Sequence, residues 1–556
     1  MSSFLHHLPV LPIVMPLTSG AVMLLFAESQ RRWRDSIALL ATLAQLGVAL
    51  VLMYFTTDAV PDIWHKGIGV YSISAWPAPY GIVLVVDRLS ALLLTLNAVL
   101  ALPAIVYSIA RWERVGVHYQ PLVQFLLMGL NGAFLTGDLF NLFVFFEVLL
   151  AASYGLILHG SGRARVKAGM HYIVVNLVGS LLFLIGVALI YGIAGTLNMA
   201  DLGVRWSTIA AQDRGLFDAG VAVLGIAFLI KAGSWPLNFW LPSAYSSAGA
   251  PVAAVFAIMT KVGIYAVLRM SVLLGDAAAP APLNGPWLFY GGIATLIFGI
   301  VGILASQQLG RLIAFTVIVS SGTMLAAVGC GAQSLTAPAL FYMVSSVLAT
   351  AAFFMLTGMT ERTRMRQVSD DADVAPLPAV SYQAFDTGDM QESRGPDEEV
   401  GIAIPAAMAF LGLAFVFCVL LVCGLPPLSG FVGKFALLSS IVDARTRGVL
   451  PPTAWLFLIA VLAAGLAGLI ALTRIGIRLF WTITERTTPR LRVIEAAPVA
   501  FLLLITMALT ACAGPVMTYM QSAARTLHDP QMYIEAVLSQ EVPIAANAPF
   551  EPETQP

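Results

Sequence analysis

The chain carries 5 lysines against 24 arginines, and the two are sorted by position. Lys66 and Lys167 stand in polar stretches, whereas Lys231, Lys261 and Lys434 lie inside long apolar runs. A fourth stranded charge, Glu147, sits near the middle of "GDLFNLFVFFEVLLAASYGLILHG", residues 137–160. The residue types matter. Arginine stays charged in any protein setting, while a buried lysine readily gains and loses a proton. Each such charge costs about 2.5–3.5 kcal/mol at the centre of a membrane helix, so all four are expected to face the protein interior. The chemistry open to this set is proton hand-over between amines, steered by a carboxylate. Glu147 lies nine residues beyond Asp138, roughly 13 Å along a helix at 1.5 Å per residue. Lys231 is its expected counter-ion. Kept close, the carboxylate holds the amine protonated; moved away, it leaves a desolvated ammonium that releases its proton. The competing reading is a static ion pair that fixes helix packing. Ser234, Ser306, Ser345 and Ser346 are candidate relay hydroxyls between the lysines, although membrane helices also use serine for packing.

The elements that must position these groups are membrane helices. Of 556 residues, 59% are hydrophobic and only 11% charged, against about a quarter charged in soluble proteins. Apolar runs long enough to cross a roughly 30 Å hydrocarbon core recur from end to end. The pattern predicts an all-α polytopic membrane protein with fourteen spans, near 8–27, 36–55, 84–110, 121–137, 139–159, 170–193, 217–246, 250–274, 286–306, 311–330, 335–359, 401–442, 452–480 and 495–515. Basic residues concentrate in the odd-numbered loops, which are therefore expected to be cytoplasmic, with both termini on the other side. The segment 360–400 reads as a disordered linker. There is no phosphate-binding glycine loop, so any work must draw on an ion gradient or a partner. Four scattered cysteines give neither a disulfide framework nor a metal site. A net charge of −1 gives no reason to expect a nucleic-acid partner.

Two spans are interrupted. The seventh reads "VLGIAFLIKAGSWPLNFWLPSAYSSAG" and the twelfth "FCVLLVCGLPPLSGFVGKFALLSSIV". Gly233 with Pro236, and Pro426 with Pro427, stop each helix by removing donors and clashing with the preceding turn. The breaks are five spans apart, an odd number, so matching units would point in opposite directions. Paired broken helices are the sequence mark of an inverted repeat. The expected organisation is an N-terminal group (1–110, helices 1–3), a first repeat (121–274, helices 4–8), a second repeat (286–480, helices 9–13, with the linker) and a final helix and tail (495–556).

A glutamate in span five, lysines in spans seven, eight and twelve, and the two breaks together resemble the antiporter-like subunits of respiratory complex I, membrane-bound hydrogenases and Mrp-type cation/proton antiporters. The resemblance covers nearly the whole chain. Within that superfamily "GDLFNLFVFFEV", "IKAGSWPLNFWLPSAYSSAGAPVAAVFAIMTKVGIYAVLR", "GLPPLSGFVGKF" and "DPQMYIEAVLSQ" are most similar to the D-type component of Mrp antiporters. The resemblance implies a bacterial plasma-membrane assembly that exchanges Na+ (or K+) for H+. Its partners would be other subunits of a hetero-oligomeric antiporter, H+, a monovalent cation and the lipid bilayer, with no cofactor. The alternative is a proton-pumping subunit of a complex I-type NADH dehydrogenase or a hydrogenase. Carried over residue by residue, Glu147 and Lys231 are the modulating pair, Lys261 the central relay and Lys434 the terminal protonatable group. One departure stands out: a histidine is expected in "LFYMVSSVLAT" near Ser345, and a serine is there instead. A relay across that joint must therefore run through water.

Overall fold

The computed structural model describes residues 5–57, 64–74, 76–110, 116, 118–275, 283, 285–372, 404–443, 452–480 and 491–539. Among these, nineteen α-helices and one two-stranded sheet form. The N-terminal group contains α1 (Leu11–Leu24), α2 (Arg31–Phe55) and α3 (Arg88–Ile109). An antiparallel hairpin, β1 (Gly69–Ser72) and β2 (Val83–Val86), precedes α3. Next come α4 (Tyr119–Leu135), α5 (Leu139–Leu158), α6 (Arg163–Ala194), the short α7 (Met199–Arg205), a broken helix formed by α8 (Ala211–Ala232) and α9 (Trp240–Ser247), and α10 (Ala250–Leu273). The order then recurs: α11 (Pro286–Ala305), α12 (Leu309–Gly329), α13 (Gln333–Ala372), a second broken helix formed by α14 (Ile404–Cys423) and α15 (Ser429–Asp443), and α16 (Pro452–Phe480). The chain continues with α17 (Val493–Ala511), α18 (Ala513–Leu527) and α19 (Pro530–Leu538).

This is an all-α polytopic membrane protein in which each half repeats the succession of three helices, a broken helix and one more. Among the described residues, twelve helices are long and apolar enough to cross a membrane. The sequence pattern predicts fourteen spans; α1 and α4, at 14 and 17 residues, account for the difference. The expected linker also starts later than read, because α13 continues as helix to Ala372. Residues 373–400 lie outside the described residues.

Burial follows the elements' roles. The apolar windows of α10, α12 and α13 are 100%, 89% and 94% buried inside the protein, whereas those of α6, α16 and α17 are less than half buried. The lysine-bearing centre is thus wrapped by an outer layer with apolar surfaces suited to lipid. Glycine permits the closest approaches. A Cβ on Gly263 of α10 would stand 2.5 Å from the Phe228 carbonyl oxygen, so α10 lies directly against the end of α8 that carries Lys231.

One end of the bundle is closed by irregular backbone. Asp87 caps α3 by accepting from the Ser90 N–H at 2.8 Å. Its carboxylate also pairs with Arg269 of α10 at 2.6 Å, both side chains being buried. Arg88 donates to the Thr56 carbonyl and to Thr526 of α18. The Asp87–Arg88 pair thus starts α3 and also ties it to α10 and α18.

Candidate functional site

Both broken helices stop in the same way. Gly233 ends α8 with φ +70°, and the Ser234 N–H reaches back to the Leu229 carbonyl. Gly424 ends α14 with φ +74°, and the Leu425 N–H reaches back to the Leu420 carbonyl. Left-handed glycine with such back-bonding is a common helix stop. Each is followed three residues on by proline, Pro236 and Pro427, which forbids resumption of the same helix. Gly233 and Pro236 lie between α8 and α9, and Pro426 and Pro427 between α14 and α15. Gly424, part of the break sequence, has a second duty: a Cβ there would come within 2.5 Å of Lys434 Cδ and force the amine's stem to shift.

All three span lysines are buried. At the end of α8, Lys231 Nζ donates to Asn176 Oδ1 of α6 at 3.1 Å and lies 5.6 Å from the Phe146 ring centroid. Halfway along α10, Lys261 Nζ donates to Ser320 Oγ of α12 at 2.9 Å and approaches Ser321 Oγ at 3.4 Å. On α15, Lys434 Nζ donates to the carbonyls of Val422 and Cys423 at 3.0 and 2.9 Å. Those carbonyls belong to the last turn of α14, where helix geometry leaves acceptors free and partial negative charge collects. Each amine therefore rests on neutral oxygens rather than on a carboxylate.

Glu147 does not make the expected direct contact with Lys231. On α5 its Oε1 accepts from the Ser180 hydroxyl of α6. Asn176 and Ser180 are four residues apart on α6, about one helical turn, so neighbouring groups on one helix hold the acid and the amine. Sequence reasoning missed both, because a lone Asn or Ser in a membrane helix carries no distinguishing signal.

The candidate serines divide. Ser346 joins Ser320 at 2.9 Å, extending the contact of Lys261 onto α13. Ser345 pairs at 2.9 Å with Ser429, the first residue of α15. A cavity of about 30 Å³ is bordered by Ser320, Tyr342, Ser345, Ser346, Thr350 and Lys434. A water needs roughly 10–15 Å³ of such space and two or more polar partners, so this cavity can bridge the Lys261 partners to Lys434. It lies where the expected histidine is replaced by Ser345. A smaller cavity of about 10 Å³ touches Lys231, Asn176, Tyr172, Trp240 and Met259. Nearby, Asn238 Nδ2, Trp240 Nε1 and Thr260 Oγ1 are buried without protein partners, which suits them to water.

The other two serines face elsewhere. Ser234 bonds to Thr295 of α11. Ser306 donates to the Gly302 carbonyl, and its own carbonyl accepts from Arg474 at 2.9 Å. It finishes α11 and touches none of the three amines. Among the described residues no group of three His, Cys, Asp or Glu side chains gathers to hold a metal.

Comparison with known proteins agrees with this architecture. The family model described as "NADH:quinone oxidoreductase/Mrp antiporter, TM" matches residues 136–377, which include Glu147, Lys231 and Lys261. A protein of Rhizobium meliloti (strain 1021), named as the D component of a probable K(+)/H(+) antiporter, is 51% identical over 97% of this chain and 99% of its own length. The D component of the Na(+)/H(+) antiporter of Bacillus subtilis (strain 168) is 33% identical over 96% of this chain and 100% of its own length. A chain in the solved Mrp complex from Dietzia sp. DQ12-45-1b is 25% identical, with a TM-score of 0.76, and the match covers 96% of this chain and 99% of that one. The chain belongs to the NADH:quinone oxidoreductase/Mrp antiporter family of membrane proteins.

Proposed function

We propose that this chain is the D-type, proton-translocating membrane subunit of a multisubunit Na+ (or K+)/H+ antiporter in a bacterial plasma membrane. It works with other subunits of that complex and is a transporter component rather than an enzyme. The observation that carries the reading is the chain of buried lysines, each held by neutral oxygens, with small cavities beside the first and between the second and third. The names of its relatives support the antiport half of the reading.

Glu147 and Lys231 act as the switch. With the carboxylate resting on Ser180 and the amine on Asn176, neither charge is neutralised by direct contact. A swing of Glu147 toward Lys231 favours the ammonium; its return to Ser180 favours release of the proton to the next group. The proton passes to Lys261, then along Ser320, Ser346 and water to Lys434. Hydroxyls and water can both donate and accept, which carbonyls cannot. The five-helix units act as two inverted repeats, and the termini face the extracytoplasmic side.

The test is cation-driven proton flux in vesicles from cells expressing the full complex, comparing wild type with Glu147→Gln, Lys231→Ala and Lys261→Ala. Loss of flux at normal complex levels supports the reading. Normal flux in the first two variants refutes it.

A further inference from the structure

We propose that Thr295 is a positioning residue that sets Lys231 against the rest of the amine chain, a role that rests on the reading of Lys231 given above. Thr295 lies on α11 in the second half of the protein and is fully buried. Its hydroxyl oxygen accepts from the backbone N–H of Trp235 at 2.9 Å and pairs with Ser234 Oγ at 3.2 Å. Its proton goes to the Gly291 carbonyl at 2.7 Å. One donation and two acceptances exhaust a hydroxyl. The group is therefore an oriented anchor.

The need for the anchor follows from the two break sequences. After the glycine stop, the N–H of Ser234 and that of Leu425 both find carbonyls in the preceding turn. The next residue in the second break is Pro426, which has no N–H to satisfy. In the first break it is Trp235, which does. A backbone donor left alone at membrane depth is strongly disfavoured. The first break keeps its donor and commits it to a side chain from the other half.

That commitment fixes geometry across the site. Trp235 is four residues from Lys231. Helix α11 packs tightly on α12: a Cβ on Gly292 would stand 2.3 Å from the Ala326 nitrogen. Helix α12 in turn supplies Ser320 to Lys261. Thr295 thus ties the helix end bearing the first amine to the two-helix unit that holds the second.

The experiment uses the whole complex in everted vesicles and compares Thr295→Val, Thr295→Ser and Lys231→Ala with wild type, across pH. Valine keeps the shape and removes the acceptor; serine keeps the acceptor. At equal complex levels T295V is expected to lower turnover roughly five- to twentyfold and to move the pH profile, with T295S restoring both. Wild-type turnover and pH profile in T295V overturn the proposal, as does a T295S variant as impaired as T295V. If T295V does not assemble, Thr295→Ala carries the same comparison, and failure of both to assemble overturns the positioning role in favour of a structural one. An active K231A would instead sink the amine reading, so the two failures are separable.

Discussion

Gly424→Ala isolates the terminal amine without touching it. The native φ of +74° is a left-handed conformation that costs an L-residue about 1–2 kcal/mol. The added Cβ would also stand 2.5 Å from Lys434 Cδ and 3.1 Å from its Nζ. The stem has to leave, and with it go the hydrogen bonds to the carbonyls of Val422 and Cys423. Bonds from a charged donor contribute about 1.5–3 kcal/mol each. Water in the adjoining cavity recovers part of that loss, and the flexible stem can shift, leaving a net cost of about 1.5 kcal/mol. At about 1.4 kcal/mol per decade, the population of correctly seated amine falls by about tenfold or more. The assay is cation-dependent collapse of a preset proton gradient in everted vesicles, with complex abundance measured in parallel. Gly412→Ala is the control, because nothing lies within 4 Å of its Cβ position. Flux reduced about tenfold in G424A and unchanged in G412A is the expected result. Equal flux in both would refute the claim that Gly424 leaves room for the Lys434 stem.

Four further outcomes follow from other contacts. Lys261→Arg keeps the charge but cannot release it, so it should abolish flux as fully as Lys261→Met; an active K261R would mean the amine is only a strut. Ser346→Val should reduce flux several-fold by removing the link to Ser320 and adding bulk at the cavity wall, and unchanged flux would exclude this joint from the path. Arg269→Met should destabilise the purified complex by about 3–5 kcal/mol, seen as a lowered melting temperature, because it strands a buried Asp87; pairing it with Asp87→Asn should recover part of the loss. His528 pairs with Thr336 at the end of α18, and burial lowers its pKa. The unfolded chain then binds more protons than the folded one, so stability should fall as pH drops below about 6.5 toward the lower folded value. His528→Gln should flatten that slope in melting measured against pH.

The fold and the stranded charges were legible in the sequence for one reason: charges and helix breakers are expensive inside a membrane. Lys231, Lys261 and Lys434 stand out against their surroundings without any knowledge of what they touch. So do "GSWP" and "GLPP". The extent of α13 beyond Glu361 was not legible, because its polar end reads as linker composition. The hairpin at 69–86 was missed as well, being short and set between long apolar helices. Hardest to see were the groups that hold the amines. Asn176, Ser180 and Thr295 are small polar residues of types found throughout membrane helices, and only three-dimensional position separates a ligand from packing.

The Ser345 departure shows what each kind of residue can contribute. A histidine at the joint would carry the proton itself. A serine cannot, and Ser345 is turned to Ser429 at the start of the helix that bears Lys434. The neighbouring Ser346 continues the contact from Lys261 through Ser320, and the cavity bordered by all three serines reaches Lys434. On the proposed path, charge transfer between the two halves would depend on the hydration of a small space and not on the protonation of one side chain. A joint of that kind responds to bulk at the cavity wall, as Ser346→Val would impose, and has no titration of its own. The pH dependence of transport should accordingly carry no separate contribution from the joint between the halves.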